Sequence, residues 1–208
     1  MDILSHGLWA AVGAKAANRK RSPCLAGRQA LEPMAIGSRS NNKWLNPYWT
    51  FFWGMFPDLF AFTIPVLMLI GTILTGHMSL GDWPKPEHGE PPSNQAWQGL
   101  TLASTLYQYS HSLVIFVLVM AVIYGVTKYR RVRFPLEMFG WFLHILMDIP
   151  THTYAFFPTP VFWPISQWRF NGYSWAHPWL LAVDYGLLVL FFLILRKKKS
   201  SVGHPELQ

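Results

Sequence analysis

His144, Asp148 and His152 stand four residues apart within GWFLHILMDIPTHTYAFFP, residues 140–158, so on a helix they line one face. Pro150 is placed to disturb that register near the last of them. The stretch is otherwise apolar enough for a bilayer, where a central Asp costs roughly 2.5–3.5 kcal/mol on insertion scales. Three ionisable groups kept on one stripe point to use rather than accident. Imidazoles and carboxylates facing one point are what a divalent metal such as zinc binds. Further candidates lie in other apolar segments: His6, Asp58 and His111. His6, Asp58, His111, His144 and Asp148 make five potential ligands, more than one zinc usually takes. Either one of them supports the others from outside the coordination shell, or two ions share the site. A water on such an ion can fall to a pKa of ~7. Asp148 and His152 are then the pair expected at the chemistry, with His152 moving the proton. The competing reading of the stripe is a polar seam hydrogen-bonded between helices. For Asp58 it is a helix N-cap, and for His111 a packed, hydrogen-bonded histidine.

The elements that must position these residues are membrane elements. Of 208 residues, 51% are hydrophobic, 16% aromatic and 13% charged. That charged fraction is about half the ~25% usual for a soluble domain. Mean hydropathy is +0.20. The net charge of +7 is gathered into short basic patches between apolar runs. This is a membrane-orientation pattern, and it lacks the aromatics interleaved with Lys and Arg expected of a nucleic-acid binder. Cys24 is the single cysteine, so no internal disulfide forms. The first residues lack a basic region ahead of their apolar run and do not read as a cleaved signal peptide.

The expected fold is all-α: a polytopic helical bundle with about four transmembrane helices and a short N-terminal apolar helix. Its apolar segments are 1–14, 47–76, 100–126, 134–157 and 179–195, within one membrane domain, 1–199, followed by a polar tail, 200–208. Gly54 and Pro57 predict a local break just before Asp58. The basic patches 15–43, 128–133 and 196–199 are separated by even numbers of spans, so all can face the cytoplasm together. The loops 77–99 and 158–178 then lie on the other side, where Trp83, Trp97, Trp163, Trp168, Trp175 and Trp179 collect. At ~1.5 Å per residue, Asp58, His111, His144 and Asp148 fall about 16–25 Å from the nearest basic patch, and His6 about 14 Å. That shared depth predicts that His111, His144 and Asp148 converge within ~10 Å, joined by Asp58 and His6. Asp184, in the last segment, is expected to find a partner such as Arg169 or His177.

The order of these elements resembles the bacterial inner-membrane family described as metal-dependent hydrolases (YdjM-like). That pattern runs from an early His through G-x-x-P-D and a THS-like element to H-x-x-x-D-x-x-T before a Pro-rich segment. Here those are His6; Gly54, Pro57 and Asp58; Ser110, His111 and Ser112; and His144, Asp148 and Thr151. The resemblance spans roughly residues 1–165. It implies an inner-membrane hydrolase using a divalent metal, a reaction class without a substrate. A site at mid-membrane depth suits a lipid-derived ester or phosphoester. Two other readings use the same residues: a transporter or proton- or metal-conducting protein, and a non-catalytic membrane protein with a structural metal site.

Overall fold

The structure, a computed structural model, describes residues 2–29, 44–77, 79, 81 and 97–197. The described residues form helices and loops, with α1 at Ile3–Gln29, α2 at Pro47–Leu74, α3 at Trp97–Ser110, α4 at Leu113–Arg130, α5 at Phe139–Thr151 and α6 at Pro178–Lys197. Three helices are long and apolar enough to cross a membrane: α2, α4 and α6. Each turns large apolar side chains outward, including Ile64 and Leu67 on α2, Val117 and Val122 on α4, and Val183 and Val189 on α6.

α2 is the element on which α1, α3 and α5 pack. Its start is written locally. Asn46 caps it by accepting from Tyr48 N at 3.0 Å, and Pro47 occupies the first turn, where its missing N–H costs nothing. Its buried face is Thr50, Gly54, Pro57, Asp58, Ala61, Pro65 and Leu69. Most of these are small, which lets neighbouring backbones approach closely. A Cβ on Gly54 would stand 2.7 Å from Ala10 Cβ and 2.8 Å from His6 O. One on Gly140 would stand 2.5 Å from Thr50 O. Those two glycines set α1 and α5 directly against α2, and so bring His6, His144 and Asp148 to Asp58.

Several expectations need correction. The segment 1–14 is not a short helix in itself: α1 runs on through basic residues to Gln29. The expected break at Gly54 and Pro57 does not occur, because α2 continues through both Pro57 and Pro65. Both prolines are buried on the packed face, where neighbouring helices offset the missing backbone bonds. The segment 100–126 is not one span but α3 and α4, broken at His111 and Ser112. Ser112 adopts extended backbone and its hydroxyl accepts from Val114 N and Ile115 N, starting a new helix. In 134–157 only 139–151 is α-helical, preceded by a tight 3-10 turn at Leu136–Met138. Its 13 residues reach ~20 Å, short of a ~30 Å hydrocarbon core.

The described flanks of the basic patches are tied to one another at one end of the helices. Asn18 of α1 brackets Leu45 with two hydrogen bonds, of 2.7 and 3.0 Å. Arg19 donates to Ile194 O near the end of α6. Arg133 donates to Trp44 O and pairs with Glu137, which also accepts from Asn46 N. The loop 152–177, with Trp163 and Trp168, closes the opposite end of α5. Residues 30–43, most of the loop 77–99 including Trp83, and the tail 198–208 lie outside the described residues.

Candidate metal centre

The stripe on α5 delivers His144 and Asp148 to one point, and both are buried, at 1% and 0% exposure. His152 does not continue that helix. α5 ends at Thr151, and His152 is its C-cap in extended conformation. Pro150 lacks the N–H that would extend the ladder, and the returning loop takes over the last carbonyls. Tyr173 N donates to Pro150 O, Trp175 N to Thr151 O and Gly172 N to His152 O, at 2.8–3.0 Å. His152 still reaches the cluster, its Nε2 standing 3.3 Å from Asp148 Oδ1.

α2 contributes Asp58, the break between α3 and α4 contributes His111, and α1 contributes His6. Asp58 is in mid-helix and buried, so it is no N-cap. Asp58, His111, His144 and Asp148 each offer one ligand atom, and these atoms lie within 4.8 Å of one another. That group can hold a metal ion. His111 Nε2 stands 3.3 Å from Asp148 Oδ2 and 3.4 Å from Asp58 Oδ1. His144 Nε2 stands 3.1 Å and 3.7 Å from the same two oxygens. The two Nε2 atoms are 3.0 Å apart.

The far nitrogens decide what those atoms are. His144 Nδ1 lies 2.7 Å from Gly54 O. A carbonyl only accepts, so Nδ1 carries a proton, and in the neutral ring Nε2 then turns a lone pair inward. His111 Nδ1 lies 2.9 Å from Ser110 Oγ and 3.3 Å from Tyr107 O. Ser110 spends its own hydroxyl proton on Leu106 O, at 3.1 Å. His111 Nδ1 is therefore a donor, and in the neutral ring Nε2 likewise presents a lone pair. Two such lone pairs 3.0 Å apart cannot hydrogen-bond each other. With the carboxylate oxygens they form a converging set of acceptors, which a cation stabilises. Histidines held through the opposite nitrogen by a carbonyl or hydroxyl are the usual support of metal ligands.

His6 joins the cluster beneath this set. It is 1% exposed, its ring stacks on His144 with centroids 3.8 Å apart, and its Nε2 is 3.0 Å from Asp148 Oδ1. The expected convergence of His111, His144 and Asp148 with Asp58 and His6 is present. Sequence reasoning missed Tyr107, buried and stacked on His111 with centroids 3.6 Å apart. Its position four residues before His111 was the available signal, since that spacing shares a helix face. With Phe62 and Phe157, whose rings approach it at 6.0 and 5.4 Å, Tyr107 builds an apolar wall beside His152. Asp184 is partnered by neither Arg169 nor His177 in the described contacts. It accepts from Trp9 Nε1 at 2.7 Å.

The molecule is thus an all-helical protein with membrane-length apolar helices and a buried His/Asp group able to hold a metal. No protein-family model matches the chain, and no match to it was found among curated proteins or solved structures.

Proposed function

We propose that this chain is an inner-membrane metal-dependent hydrolase acting on a lipid-derived ester or phosphoester, with Asp58, His111, His144 and Asp148 holding a divalent ion. The observation that carries the reading is the pair of inward Nε2 lone pairs 3.0 Å apart, beside two carboxylates in a dry interior. A nitrogen and oxygen donor set of this kind fits zinc. The motif order resembling the YdjM-like family supports the same reaction class.

A bound divalent ion supplies Lewis acidity and an acidified water at neutral pH. The chain's own residues do the rest. Gly54 O and Ser110 Oγ fix the two imidazoles through their Nδ1 protons. His152, against Asp148 Oδ1 and half turned toward the loop, holds or moves the proton. Tyr107, Phe62 and Phe157 exclude water and offer an acyl chain an apolar wall. The shared basic end faces the cytoplasm, so the 152–177 loop faces away from it.

The test is elemental analysis of the purified chain, followed by a panel of phospholipids, isoprenoid phosphates and lipid esters. Stoichiometric metal with turnover supports the proposal; a chain that binds no metal after reconstitution ends it. A second reading is favoured by one feature: four protein ligands close a tetrahedral shell, as structural zinc sites do. Bound metal without turnover on any class would select it.

A further inference from the structure

The two carboxylates are shared between two sets of histidine. Asp148 turns Oδ2 to His111 and His144, at 3.3 and 3.1 Å, and Oδ1 to His6, at 3.0 Å. Asp58 does the same: Oδ1 stands 3.4 and 3.7 Å from His111 and His144, while Oδ2 stands 3.7 Å from His6 Nδ1. Each carboxylate therefore has one oxygen on either side of the cluster. On the second side, His6 is almost wholly enclosed, and neither of its ring nitrogens makes a well-formed hydrogen bond. What meets them is carboxylate: Nε2 faces Asp148 Oδ1 at 3.0 Å and Nδ1 faces Asp58 Oδ2 at 3.7 Å.

We infer that the cluster is a two-metal centre: Asp58 and Asp148 bridge a first ion on His111 and His144 to a second ion on His6. This rests on the metal reading above and deepens it. The stacking of His6 on His144, with centroids 3.8 Å apart and planes inclined by 28°, supports the count. Paired catalytic ions bridged by carboxylates stand at about 3.5–4 Å, and the Nε2 atoms of His6 and His144 lie 3.0 and 3.1 Å from the two oxygens of the one Asp148 carboxylate.

The two positions differ in kind. The first is closed by four protein ligands. The second would take one nitrogen of His6, Nε2 beside Asp148 Oδ1, with Asp58 Oδ2 reaching it from the Nδ1 edge of the ring, and so keeps room for a water or substrate oxygen. The open side is the one next to His152, whose Nε2 is 3.3 Å from Asp148 Oδ1. Charge also separates substrates. Two divalent ions against two carboxylates leave a surplus positive charge in a low-dielectric interior, and an anionic phosphoryl group neutralises it where a neutral ester does not.

The experiment is a metal count on the full chain, purified with a tag free of histidine, stripped by chelator, reloaded with Zn²⁺ and gel-filtered. A parallel sample loaded with Mn²⁺ is read by electron paramagnetic resonance. Wild type should carry two zinc ions per chain and give an exchange-coupled manganese signal. His6→Ala, and His6→Gln as a bulkier variant that keeps the cavity filled, should carry one zinc and give an uncoupled signal. His152→Ala should keep two. One zinc per wild-type chain with an uncoupled signal overturns the two-metal centre and leaves the single-metal reading standing. No metal in wild type overturns both. Two ions in a folded His6 variant, or none, overturns the assignment of His6 to the second ion.

Discussion

Two buried carboxylates sit in apolar helices of this protein in opposite chemical company. Asp184 of α6 meets a donor: Trp9 Nε1–H, at 2.7 Å, tying α1 to α6. Next to it Tyr185 OH donates to Asp2 Oδ1 at 2.9 Å, tying the residue just before α1 to α6. Asp148 of α5 meets His6, His111, His144 and His152, all with a ring nitrogen within 3.3 Å of its oxygens. For His111 and His144 the outward nitrogen donates, so in the neutral ring the inward atom is a lone pair. The lesson is that burial alone does not mark a metal centre. An N–H facing the carboxylate makes a helix tie, whereas converging acceptors make a cation site.

The largest expected effect comes from replacing the charge at the centre. Asp148→Asn keeps the shape and removes the charge that holds a cation. Metal affinity should fall by more than the ~10–100-fold that a merely supporting residue costs, and activity should fall with it. Membrane insertion should be at least as efficient, since a neutral amide is cheaper in hydrocarbon than a carboxylate. Metal content and membrane fractionation of the same preparation check this; retained stoichiometric metal would sink the comparison with Asp184.

His152→Ala probes the same carboxylate from its open side. Metal should stay bound while turnover drops by ~10²-fold or more, as removal of a proton carrier does. Single-turnover rates alongside metal analysis separate the two outcomes. Loss of metal would instead make His152 a ligand.

Gly54→Ala tests how the centre is assembled. The new methyl would press on Ala10 and on His6 O, and overpacking of this kind costs typically 1–3 kcal/mol. Unfolding in mixed detergent should show that loss, together with weaker metal binding, because α1 carrying His6 is displaced. A variant as stable as wild type would show that α1 and α2 have slack at this crossing.

The smallest effect on the metal belongs to the other carboxylate. Trp9→Phe removes the donor to the buried Asp184 carboxylate, a bond worth about 1.5–3 kcal/mol of stability, and should leave metal content unchanged. The same unfolding assay reads the first part and elemental analysis the second. Metal loss in this variant would join the two polar regions into one functional unit.

Much of the centre was legible in the chain. His144 and Asp148 share a helix face by spacing alone. Depth arithmetic on apolar runs grouped them with Asp58, His111 and His6, and Asp58 proved to be in mid-helix and buried. What misled was local chemistry read without neighbours. Pro57 looks like a break, but α2 passes through it because α1 and α5 press against that face. The run 100–126 looks like one span because its hydropathy is continuous. Its interruption depends on Ser112 capping α4 and on loop contacts distant in sequence, Leu113 N to Val161 O and Ser112 Oγ to Trp163 O.

By itself the amino-acid sequence determined that the chain is helical with apolar segments of membrane-spanning length, and which titratable residues sit at like depth along them, because hydropathy and helical spacing are local quantities. Only the tertiary structure decided which atoms of those residues face inward. The tautomer of His144 depends on Gly54 O, that of His111 on Ser110 and Leu106, and the sharing of Asp58 and Asp148 between two histidine sets on how closely Gly54 lets α1 approach. These are contacts between helices, and no periodicity within one helix encodes them.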